Sequence, residues 1–264
     1  MKAVRPTSTT LAAWAQHFVP KQDFFFLNKR DLPPFIPYIK DVLIIPRQEF
    51  HNHPASADVQ LASCFAFWQI SKQADNVILA NPSWLENMPF QQRKQLLSLQ
   101  HAYSRGLVLS LSYFREACID EEFIVSDSVV IQAAMWERQT LDQKQAILFQ
   151  YAQEWDNWIC DTIPKKLPDH LLGVVNTFPE KSGANCLAAV LFAISAIEWI
   201  LSEWVHPGTF FTYLKTAAYV AIEDTPQQDD VTIWTNANED IPHAAYCVTA
   251  QLFFNKNGQT PFNP

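Results

Sequence analysis

Basic runs are missing from this chain. No stretch of lysine or arginine exceeds two residues, and 27 acidic against 19 basic side chains leave a net charge of −8. Nucleic-acid binding rests on neutralised phosphates, so no nucleic-acid partner is expected. The five cysteines, Cys64, Cys118, Cys160, Cys186 and Cys247, are scattered and include no Cys-x-x-Cys pair, which argues against a thiolate zinc site. Their odd number in 264 residues points to reduced thiols rather than a disulfide framework. His51-Asn52-His53 has no acidic residue or cysteine at ligand spacing beside it and reads as a surface loop. No metal and no organic cofactor are expected. The first ten residues, Met1 to Thr10, lack the apolar core of a signal peptide, so a cytoplasmic location is the expectation. Internal repeats and low-complexity tracts are also missing.

What the chain does contain is apolar bulk. Hydrophobic residues make up 48% and charged residues only 17%, with nineteen Phe and nine Trp, which is enough for a real core. The most apolar stretch, 184–201, is interrupted by Asn185, Ser195 and Glu198. A membrane span needs about 20 predominantly apolar residues. A helix buried on all sides is the better reading, and no membrane span is expected.

Residues 1–165 read as a mainly helical domain. Asp41–Ile45 and Asn76–Leu79 look like short strands, and Ala57–Ser71 like a helix with Phe65, Phe67, Trp68 and Ile70 turned inward. Asn81-Pro82 is a helix start. Pro89–Ser104 carries Leu96, Leu97 and Leu99 between polar residues, with Gly106 as its stop. Ser126 or Ser128 is expected to open a helix through Met135 and Trp136. Thr140-Leu141-Asp142-Gln143 is a capping box for a helix through Trp158 that buries Ile147, Leu148, Tyr151, Trp155 and Ile159. The proline- and lysine-containing stretch Asp161–Asp169 marks a boundary. Residues 166–264 then form a second domain, in which the apolar helix precedes four short β segments: Tyr213–Ile222, Val231–Thr235, Ala244–Thr249 and Leu252–Asn255. One helix followed by a small antiparallel sheet is an α+β layout.

Three side chains in this second half have the chemistry of a thiol enzyme. Cys186 stands at the first turn of the apolar helix, where the helix dipole and open backbone N–H groups favour thiolate. His243 begins a strand after Pro242, and Asn255 ends the next one. In a hairpin centred on Thr249, His243 and Asn255 lie opposite each other, with Cβ atoms roughly 4.5–5.5 Å apart. The asparagine then fixes the imidazole tautomer while the other ring nitrogen faces the thiol. Cys186 attacks a carbonyl carbon, His243 moves the proton, and the Cys186 backbone N–H binds the developing oxyanion; Asn185 or Ser182 is a candidate second donor.

Gly183-Ala184-Asn185-Cys186-Leu187, Asp229-Asp230-Val231-Thr232-Ile233-Trp234 and Pro242-His243-Ala244-Ala245-Tyr246-Cys247-Val248 together resemble the NlpC-type papain-fold hydrolases. The resemblance covers about the last 90 residues. It implies a papain-like fold, a cysteine peptidase or amidase acting on a small peptide or amide such as a peptidoglycan stem-peptide fragment, and Cys186, His243 and Asn255 as nucleophile, base and third residue. Asp230 matches a structural strand-leading Asp. The chain departs from the pattern at Asn185, Leu187 and Asp229, where the family usually has Asp, Ser and Gly. Two other readings stand beside this one: a non-catalytic binding or immunity-type module on the same fold, and a papain-fold thioesterase or acyltransferase.

Overall fold

A computed structural model describes residues 1–52, 70–237 and 241–264. The chain is α+β, and its strands form small antiparallel sheets. It divides into two compact units, Thr7–Glu154 and Met1–Pro6 with Trp155–Pro264. The division falls upstream of Asp161–Asp169. The first residues belong to the later unit because strand β1 (Lys2–Ala3) pairs with strand β8 (Ile159–Cys160).

The Thr7–Glu154 unit combines helices with two three-stranded sheets, so it is richer in strand than a mainly helical domain. β2 (Asp23–Leu27), β4 (Asn76–Ala80) and β3 (Leu43–Pro46) form the first, in the order β2-β4-β3. The expected segments at Asp41–Ile45 and Asn76–Leu79 are two of these strands. Every residue of β2 is buried. Among the described residues its outer edge meets no strand, and at Phe26 a side chain takes that place. Gln100, fully buried, accepts from the Phe26 N–H at 2.7 Å and donates to the Phe26 carbonyl at 3.3 Å. A buried backbone edge left unpaired costs about 1–3 kcal/mol per group, and one carboxamide satisfies both groups of Phe26.

The second sheet, β5 (Val108–Ser110), β7 (Ser128–Val130) and β6 (Ile124–Val125), corrects the expectation of a helix opening at Ser126 or Ser128. Val129 and Val130 are β-branched and fully buried, which suits a pleated surface, and the helix starts only at Ala133. The Thr140–Gln143 capping box is present, with reciprocal bonds of 3.2 and 2.9 Å. Its helix stops at Ala152, however, short of Trp158. Asp156 and Asn157 bond forward to the N–H groups of Trp158 and Ile159, and Trp158 adopts a left-handed φ of 56°. Such local bonds compete with helix continuation, and Trp155 and Ile159 are left exposed. The expected helix at Ala57–Ser71 lies almost wholly outside the described residues, as do Cys64 and His53.

In the later unit the apolar helix runs Cys186–Ser195, and Leu187 through Ala193 are all buried. It ends at Ala196, which takes a left-handed φ of 56°, before a 3-10 turn at Glu198–Ser202. At ten residues it is an interior rod, and no helix of the described residues is long and apolar enough to cross a membrane. The segment expected as a strand at Tyr213–Ile222 begins inside a helix, Pro207–Thr216. Proline at the first helical position sets it up, and Phe210 and Leu214, four apart, form its buried stripe. The sheet is β11 (Leu252–Phe254), β10 (His243–Thr249) and β9 (Val231–Trp234), with β10 central and packed by the rod.

Candidate functional site

Cys186 is the first residue of the rod, and Asn185 is its N-cap. Asn185 Oδ1 accepts from the Ala188 N–H at 3.0 Å. The same carboxamide grips Val205, donating to its carbonyl at 2.7 Å and accepting from its N–H at 3.4 Å. Both ends of Asn185 are thereby engaged, and one of its two Nδ2 hydrogens has no acceptor among the described residues. Open donors do remain at this helix start. Among the described residues nothing accepts from the backbone N–H of Cys186 or of Leu187, two of the groups every helix leaves unpaired at its first turn. Leu187 was not singled out by residue type, because a backbone donor leaves no mark in a sequence. The thiol itself is half-buried.

Gly183 holds the loop before Cys186. Its φ is +149°, a conformation L side chains rarely adopt, and a Cβ there meets the Ser202 carbonyl oxygen at 3.1 Å. Its N–H donates to the Gln259 carbonyl at 3.3 Å. Gln259 lies in the segment that follows β11, so the loop carrying Cys186 is tied to the chain beyond the sheet.

The hairpin register differs from the sequence expectation. Tyr246 pairs with Phe254 and Cys247 with Phe253, and an irregularity before Thr249 closes the turn over Ala250 and Gln251 rather than at Thr249. The pairing beyond the irregularity is two residues away from the expected register. The ladder ends at Phe254, so Asn255 lies beyond it and is not paired opposite His243.

The pleat decides what His243 faces. Ala244, Tyr246 and Val248 share one hydrophobic core with Leu187, Val190 and Leu191 of the rod, and Cys186 packs against that core. Alternate strand residues point to opposite faces, so His243 points to the other side. There it pairs with Trp234 across β9, ring centroids 5.3 Å apart, while Trp234 also approaches Phe253 at 6.5 Å. Among the described residues no hydrogen bond joins Cys186, His243 and Asn255 to one another. Cys186 packs on the core side of the sheet, and His243 lies on the opposite side. Burial pushes the His243 imidazole below its ordinary value of 6.5, so the ring is neutral near pH 7.

Asp229 and Asp230 brace the approach to β9. Asp230 Oδ2 accepts from the Gln227 N–H at 2.7 Å, and its carbonyl accepts from the Cys247 N–H at 2.8 Å. Asp229, at a left-handed φ of 74°, accepts from the Tyr246 hydroxyl at 2.5 Å. Burial first, then this carboxylate, pushes the Tyr246 hydroxyl well above its usual range. Burial also raises the Cys247 thiol, which donates to the Thr249 carbonyl at 3.0 Å. Among the described residues no group of three or more His, Cys, Asp or Glu is placed to hold a metal ion.

Comparison of the chain with protein-family models, with curated proteins and with solved structures finds no match.

Proposed function

We propose that the later unit is a thiol hydrolase of papain-like architecture, with Cys186 as nucleophile toward an amide or peptide carbonyl. One observation carries this reading: a half-buried cysteine at the first position of an interior helix, beside two open backbone donors. The sulfur attacks the carbonyl carbon, the N–H groups of Cys186 and Leu187 hold the oxyanion, and the C–N bond breaks to leave a thioester that water hydrolyses. For this, His243 must leave its contact with Trp234; it then takes the thiol proton and passes it to the departing amine nitrogen, with Asn255 orienting the ring. A small peptide is the substrate class. Acyl transfer to an acceptor other than water uses the same steps.

The test is intact-mass spectrometry after incubation with an activated acyl ester and with a peptide vinyl sulfone. One acyl or sulfone adduct on Cys186 is expected, absent in Cys186→Ala. Labelling of Cys186 only after denaturation defeats the proposal.

A second reading is favoured by the Trp234–His243 pair. An imidazole held against an indole on the far side of the sheet suits a binding module built on the same framework. In that case the chain captures a partner without turning it over, and the native protein forms no acyl adduct at Cys186.

A further inference from the structure

Asp23 opens β2 with one oxygen engaged and one not. Oδ1 accepts from the Ala133 N–H at 2.8 Å, whereas Oδ2 meets no partner among the described residues. Arg105, in the loop after the Phe90–Ala102 helix, donates through Nη1 to the Phe24 carbonyl at 3.0 Å and through Nη2 to the Ile131 carbonyl, yet Nε is unpartnered. Gln132 reaches Arg105 Nη1 through Oε1 at 3.5 Å and leaves Nε2 unpartnered. These side chains are among the most deeply buried polar groups of the Thr7–Glu154 unit: Asp23 is 4% exposed, Arg105 3% and Gln132 1%. Buried polar atoms without a partner are rare in folded proteins, and each weighs on stability.

Asp23 and Arg105 are close enough to feel each other's charge but make no direct ion pair. Burial raises the Asp23 carboxyl to about 6, with Arg105 opposing the rise. Burial also lowers the Arg105 guanidinium to about 10, with Asp23 opposing that fall. A pocket with ≈ 10 Å³ of space, open in part to solvent and lined by Val19, Pro20, Gln22, Phe24 and Leu107 together with Asp23 and Arg105, lies at this place. That is about the space one water requires.

We infer that this cavity is a binding site for a single structural water, which accepts from Arg105 Nε and donates to Asp23 Oδ2, and so locks β2 to the segment Ile131–Ala133. The chemistry selects the ligand. Asp23 repels an anion, Arg105 repels a cation, and the ≈ 10 Å³ beside them suits one water. Only a molecule that both donates and accepts within that space satisfies both side chains.

Filling the cavity tests this, because a dry cavity and a wet one respond with opposite sign. Val19→Ile in the full chain adds one methylene at the cavity wall. With water bound, the added group displaces it and orphans two buried charged side chains, and Tm falls by about 2–4 °C. In the wild-type chain, NMR should show a cross-peak between the Arg105 Nε–H and a long-lived water, and Val19→Ile should abolish it. A Tm that holds or rises in the variant, or a wild-type Arg105 Nε–H with no water cross-peak, overturns the inference.

Discussion

The indole of Trp234 lies 5.3 Å from the imidazole of His243, ring centre to ring centre, on the face of β10 turned away from Ala244, Tyr246 and Val248. The contact is made by one cross-strand pair, and Trp234 itself is 44% exposed. The burial that lowers the His243 titration therefore depends on a ring that stands partly in solvent.

This gives the first prediction. A histidine whose folded value lies below 6.5 binds fewer protons when folded than when unfolded. Its contribution is fully present above pH 6.5 and is lost as pH falls from there through the folded value. Thermal stability should drop on acidification across that window, and the drop should shrink in His243→Gln. Trp234→Ala should bring the His243 titration back toward 6.5, read from the imidazole resonances. A titration that moves further down would show that the indole's π face, not its bulk, controls the ring.

The second prediction compares two thiols. Cys118 is exposed, whereas Cys186 is half-buried. Access alone makes Cys118 the faster to alkylate, while Cys186 opens a helix beside backbone N–H groups with no acceptor among the described residues. Iodoacetamide near pH 7 should label Cys186 at least several-fold faster than Cys118, followed by peptide mapping. Slowing of Cys186 alone in His243→Gln would show that the imidazole reaches the sulfur in solution. A rate unchanged in that variant would leave the helix end as the source of reactivity.

A third prediction rests on Asn185. Removing it by Asn185→Ala deletes the helix cap and leaves both backbone groups of Val205 without their partner. Cap loss costs about 0.5–2 kcal/mol and an orphaned buried group about 1–3 kcal/mol. The expected loss is ~2–4 kcal/mol by urea denaturation. Asn185→Asp keeps the acceptor for Ala188 and Val205 but loses the donor to the Val205 carbonyl, and should cost less than half as much. Equal losses would mean that the cap itself contributes little.

Much of this arrangement is legible from local chemistry. Asn185 before an apolar run and the Thr140–Gln143 box each carry their own short-range signal, and Pro207 carries one for the helix that stands where a strand from Tyr213 is expected. Strands flanked by Pro, Asp and Asn in 231–254 are readable for the same reason. What local pattern does not carry is the non-local partner. The register of β10 against β11 turns on an irregularity before Thr249, and one or two residues of slip decide which side chain faces which. Nor does a sequence reveal that Gln100 stands in for a missing strand at Phe26, since the residues are 74 apart and a glutamine inside a helix reads as surface. The Tyr246–Asp229 bond is hidden in the same way, across 17 residues and a left-handed turn.

The last prediction concerns Asp23. Its carboxyl is raised from 3.8 to about 6, chiefly by burial, against the Ala133 N–H and the Arg105 charge, with Glu86 adding slightly to the rise. A raised acid binds more protons folded than unfolded between those values. The folded state is therefore favoured below about pH 4 by this group and loses that advantage as pH climbs to 6, with no further change above. A shift of this size corresponds to ~3 kcal/mol, an order-of-magnitude figure at 1.36 kcal/mol per unit. Asp23→Asn retains an oxygen for the Ala133 N–H and cannot ionise. The variant should gain stability relative to wild type on going from pH 4 to pH 8, measured by denaturant titration at both. Parallel curves at the two pH values would mean that Arg105 fully compensates the buried carboxylate, and Asp23→Asn would then be destabilising at pH 8, because it strips the guanidinium of its counter-charge.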